Sequence, residues 1–103
     1  LVILPIKNTL VSSGQSAGLQ AASVGTTVLT TSTIGFWDYD NYKDSENIIF
    51  LNNNKLDLWT NKISEIYENF GLLDKISTNS MELVRKEYDL KNFNLEIEQY
   101  LKL

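Results

Sequence analysis

Residues 14–34, GQSAGLQAASVGTTVLTTSTI, decide the fold of this chain because they admit two incompatible periods. Gly14, Gly18 and Ala22 recur every four residues, with Ala17, Ala21 and Gly25 beside them. On a helix this spacing aligns a stripe of small residues along which a second helix can approach closely. From Thr26 onward the β-branched residues Thr26, Thr27, Val28, Thr30, Thr31, Thr33 and Ile34 dominate, and such a run favours a strand. A helix packed on a partner makes the chain mainly α. A strand paired with the apolar opening of residues 1–6 makes it small α+β, and a flexible arm is the remaining reading.

Charge supports a division at the end of this stretch. Of the 22 charged side chains only Lys7 precedes Trp37, so residues 1–37 carry +1 and residues 38–103 carry −5. Eighteen of the 28 residues from Asn8 to Gly35 are Ser, Thr, Gly or Ala, a composition that buries too little apolar area to offset its own ordering entropy. Residues 1–37 are therefore expected to pack on partner chains or associate with a membrane, and residues 38–103 to form a charged helical region. At 103 residues the whole amounts to one domain at most. The cluster Phe36, Trp37, Tyr39 and Tyr42 would form an aromatic belt at a bilayer surface, or an aromatic turn on the C-terminal helices in a chain that does not meet one. A start at Leu1 is expected of a processed chain or a fragment.

Beyond Trp37 the apolar run Ile48, Ile49, Phe50 and Leu51 is too short to assign by period. Three asparagines, Asn52 to Asn54, then break it, and Asn54 with Asp57 marks a helix start. Leu56, Trp59, Ile63, Ile66, Tyr67 and Phe70 follow at spacings of three and four, predicting an amphipathic helix over about 55–70 closed by Gly71. Asn79 and Glu82 resemble a capping box, and the ordered pairs Glu82–Lys86, Glu87–Lys91 and Glu98–Lys102 predict a second helix over about 80–101.

The chemistry is restricted more firmly than the fold. The chain has no cysteine and no histidine, so it holds no thiolate, no imidazole base and no Cys or His metal site. A net charge of −4 opposes nucleic-acid binding, which draws its affinity from clustered cations. Asp38, Asp40, Asp44 and Glu46 fail as a calcium loop, because Tyr42, Lys43 and Ile49 stand where a ligand, a glycine and a glutamate belong. Glu65 with Glu68, or Glu96 with Glu98, are the carboxylates a small hydrolase would use, but they match the polar faces of surface helices. The turn Gly14 to Gly18 lacks the spacing of a dinucleotide-binding loop, and no strand–helix–strand context is expected around it.

No catalytic, cofactor-binding or metal-ligating residue follows from the sequence, and the chain is expected not to be an enzyme. The expected function is that of a non-catalytic structural or accessory subunit in a larger assembly. Its interface candidates are Gly14, Gly18, Ala22, Trp37, Trp59, Ile63, Ile66, Tyr67 and Phe70. A self-folding α+β binding domain is the alternative, and a carboxylate-dependent hydrolase stands third.

Overall fold

The computed structural model describes residues 1–101, less the side chains of Leu90, Asn92 and Phe93; Lys102, the expected partner of Glu98, lies outside the described residues. Three parallel strands form a sheet in the order β1 (Val2–Leu4), β2 (Val28–Thr31), β3 (Ile49–Leu51). Four helices accompany them: α1 (Gln15–Ser23), α2 (Leu56–Tyr67), α3 (Phe70–Glu87) and α4 (Leu90–Leu101). Helices take about half of the chain, so the mainly α expectation holds only in part and the α+β alternative fits.

The ambiguous stretch is a helix and a strand in succession. The junction is built by Gly25 at φ 77°, whose N–H donates to Ala22 O while the Thr26 N–H donates to Ala21 O. That pair of bonds is the left-handed glycine stop of a helix, and it frees the chain to enter β2 within two residues. All four residues of β2 are buried, as expected of the central strand of a parallel sheet. Burying threonines needs partners for their hydroxyls: Thr27, just before the strand, donates to Leu73 O, and within it Thr30 donates to Leu4 O and Thr31 to Asn54 Oδ1.

Each face of the sheet carries its own apolar cluster. Leu29, Ile49 and Leu51 meet Trp59 and Ile66 of α2 and Ile76 of α3 on one face. Val28 and Ile48 meet Ala21 of α1, Tyr42, Trp37, Leu83 and Tyr88 on the other. Helix α3 serves both clusters, and Thr27 and Glu46, which lead into β2 and β3, are each hydrogen-bonded to it.

Three helix boundaries differ from expectation. Asn54 does not cap α2, because its side chain is spent on Ile6, just past β1, and on Thr31 of β2. Gly71 does not close a helix; α2 ends at Tyr67 and α3 has already begun at Phe70. Asn79 does not open one either, since α3 runs through it and its side chain donates to Glu46 O. The single helix expected over 80–101 is instead the end of α3 and, after a break at Tyr88 and Asp89, all of α4.

Candidate functional site

A strand–helix–strand unit does surround Gly14, contrary to the sequence expectation: β1, α1 and β2 follow one another and the strands are parallel. Its glycines still lack the dinucleotide-loop spacing. In parallel sheets ligands bind beyond the carboxyl ends of the strands, where connecting loops and helix N-termini converge. Here those loops are residues 5–14 after β1, residues 32–48 after β2 and residues 52–55 after β3.

Side chains tie the three carboxyl ends together. The Ile6 N–H donates to Thr31 Oγ1 at 3.0 Å, the Thr31 hydroxyl donates to Asn54 Oδ1 at 2.6 Å, and Asn54 Nδ2 donates to Ile6 O at 2.9 Å. One amide thus closes a ring through all three strand exits. Asn8 Oδ1 accepts from the Ile34 N–H, and the Tyr39 hydroxyl donates to Thr33 O. Gly35 is required at its position: a Cβ there would lie 2.5 Å from Val11 O and 2.6 Å from Thr9 O. The loop after β1 is therefore seated directly on the loop after β2.

Gly14, at φ 75°, leads into α1, and no side chain caps the helix. The first N–H groups of a helix lack intrahelical acceptors, so those of α1 are open to a ligand beside the exposed Ser12 and Ser13. Within these loops, residues 5–14, 32–37 and 52–55 contain Lys7 and Lys55 and no acid, while the far part of the second loop, residues 38–48, carries Asp38, Asp40, Asp44 and Glu46 with Lys43. Leu10, Val11 and Ile34 add exposed apolar groups to the same edge.

The first acid beyond these segments, Asp38, is turned to other work. It accepts hydrogen bonds from Tyr88 and from Asn41 Nδ2. Partial burial acts to raise its carboxyl, but these donors outweigh burial and hold it below the usual carboxylate range. Burial, and then the bond to Asp38, push the Tyr88 phenol well above its usual value. The pair anchors the aromatic loop to the end of α3.

The structure disperses the nine interface candidates. Gly18 and Ala22 are buried within the chain, and a Cβ on Gly18 would lie 2.8 Å from the Trp37 ring. Gly14 lies outside the helix, facing Ile6 and Leu4, and Trp37 is half-buried beside Phe36 and Tyr42. Trp59 and Ile66 belong to the core. Ile63, Tyr67 and Phe70 come together in a groove with Leu1, and Trp59 meets Ile63 at the rim of another. The carboxyl-end residues Asn8, Thr31, Gly35 and Asn54 were missed by the sequence reading. The available signal was an apolar opening run, a glycine-led helix and a Thr-rich strand in that order.

Among the described residues no group of three or more His, Cys, Asp or Glu could hold a metal ion, and no helix is long and apolar enough to cross a membrane. No family model matches the chain, and no curated protein is detectably similar to it in sequence. Its fold is similar to a solved structure, the C-terminal domain of a glycosyl transferase group 1 family protein (LpcC) from Francisella tularensis. The TM-score is 0.68 at 21% identity, over 87% of this chain and 45% of that one. The chain thus spans less than half of that domain.

Proposed function

We propose that this chain is the ligand-holding part of a glycosyl-transferring α/β domain, binding the phosphate-bearing side of an activated sugar at the carboxyl ends of β1 and β2. The parallel strand–helix–strand unit, alike in fold to part of a glycosyl transferase domain, carries the proposal. The local chemistry supports it. Glycosyl transfer needs a leaving group, commonly a phosphate ester, and the open N–H groups of α1 with Lys7 and Lys55 suit an anion. Ser12, Ser13 and Asn8 add donors and acceptors for hydroxyl groups. With no histidine, and no acid in these segments, the chain orients and holds; a general base would come from outside them.

The test is titration of the isotope-labelled chain with UDP-glucose and GDP-mannose, with methyl glucoside as the uncharged control. Amide shifts confined to residues 8–17 and 32–35, seen with the nucleotide sugars and not with the glucoside, are the expected result. No shift in these loops at millimolar ligand defeats the proposal.

A non-catalytic accessory role is the second reading, favoured by α4. That helix exposes Leu95, Ile97, Tyr100 and Leu101, apolar groups that a partner protein would cover. Loss of a co-purifying protein on Tyr100→Asp, with nucleotide-sugar binding absent, would favour it over the first.

A further inference from the structure

We infer that the free edge of β1 accepts one more parallel strand, supplied by the complementary part of an α/β domain, with the groove beside α2 receiving the added strand's side chains. The groove touches the carboxyl-end loops at Pro5 and Asn54, but the free main-chain groups of β1 lie outside them, and the inference does not depend on the ligand proposal.

The two edges of the sheet are finished differently. Beyond β3 the chain folds back on itself: Asp44 bridges Ile48, the Ser45 N–H donates to Ile48 O, and Asp44 Oδ1 accepts from the Phe50 N–H. Exposed Lys43, Asp44 and Glu46 add charge there. Charged side chains and loop cover are what keep an edge from pairing with another strand. Strand β1 has neither. It pairs with β2 alone among the described residues, and the Val2 N–H donates to Thr27 O. Alternation then points the N–H and C=O of Ile3 away from β2.

The surface beside these groups is apolar. Ile3 is 44% exposed although it belongs to a parallel sheet, a setting in which both faces are normally covered. A groove of ≈ 300 Å³ runs between Ile3, Pro5, Leu56, Trp59 and Ile63. A second, of ≈ 160 Å³, shares Ile63 and continues past Leu1 to Tyr67 and Phe70. Strand addition uses this combination of free main-chain groups and adjoining pockets for alternate side chains.

The similar domain indicates the occupant. More than half of its length has no counterpart in this chain. One edge of the present sheet is closed and the other open, so the remainder of such a domain has β1 as its place of attachment. The strand that β1 already accepts, β2, shows the required chemistry: parallel, β-branched and uncharged.

The test uses a synthetic peptide copying residues 26–32, TTVLTTS, added to the labelled 103-residue chain. The expected result is exchange at the Ile3 amide slowed about tenfold at saturation, with shifts at the Leu56 and Ile63 methyl groups. Ile3→Pro, which removes the outward N–H and replaces the side chain beside the groove, should abolish the shifts at the Leu56 and Ile63 methyl groups. Leu56→Lys, at an exposed position, should weaken it without unfolding the chain. Unchanged Ile3 exchange at millimolar peptide overturns the proposal. So does a discrete dimer of the chain in sedimentation with Ile3 already protected, which would make a second copy the occupant.

Discussion

Helices α1 and α2 lie against opposite faces of one sheet, and they solve the same packing problem by opposite means. Helix α2 brings its own bulk, with Trp59 and Ile66 buried against Leu29, Ile49 and Leu51. Helix α1 brings almost none. Its buried residues are Gly18, Ala21 and Ala22, and the bulk comes from across the gap, where Trp37 lies over Gly18 and is flanked by Phe36 and Tyr42. A helix can thus be tightly held while showing little hydrophobic character of its own, because contact depends on the summed volume of both surfaces.

Truncation is the strongest way to sharpen the contrast. Trp59→Ala empties an own-bulk site and strips the donor from Asn53 O, so it should cost about 3–5 kcal/mol in urea unfolding. At the α1 site the damaging change runs the other way. Gly18→Leu should cost about 1–3 kcal/mol by overpacking against Trp37, whereas Gln20→Leu on the exposed face should stay within about 0.5 kcal/mol. Equal effects at Gly18 and Gln20 would mean that α1 is not packed on Trp37.

Gly25→Ala should cost about 1–2 kcal/mol, since alanine must take the left-handed conformation that ends α1. The same change at Gly71, which sits inside α3 without positive φ, should be neutral or slightly stabilising. Thermal midpoints of the two variants distinguish a stop glycine from a helical one.

The smallest effect concerns the aromatic loop that supplies Trp37. Tyr88→Phe removes the donor to Asp38 and should cost about 1 kcal/mol near neutral pH, given the partial exposure of the pair. The depressed carboxyl contributes stability above its ordinary value of about 3.9, and that contribution is lost as pH falls through the lowered value. The raised phenol contributes below its ordinary value of about 10 and loses its advantage as pH rises past that point. Unfolding curves of the two proteins should therefore separate at neutral pH and converge in strong acid and strong base. A constant separation across that range would remove the Tyr88–Asp38 link from the account.

The comparison also explains which parts of the fold were legible. Helix α2 could be located because its large apolar residues recur at helical spacing, a local property of the chain. Its start fell where expected although Asn54 is taken by Ile6 and Thr31, more than twenty residues away in sequence; its end was misplaced because Phe70 continues the apolar spacing across the break and Gly71 lies inside α3. The β-branched run at Thr26–Ile34 did contain the central strand, and the α+β alternative had paired it with the start of the chain. The carboxyl-end site stayed hidden because Asn8, Thr31, Gly35 and Asn54 form no motif. They meet only when three strand exits are brought side by side.

By itself, then, the sequence settled the absence of thiol and imidazole chemistry, the charge division at Trp37 and the existence of α2, since composition and short-range period need no partner. Tertiary structure alone decided that residues 14–34 divide at Gly25 into helix and strand, that Gly18 serves Trp37, and that the threonines of β2 are buried. Small and hydroxyl-bearing residues carry little burial preference of their own. Whether they lie inside depends on the volume and the hydrogen-bond acceptors that distant parts of the chain place opposite them.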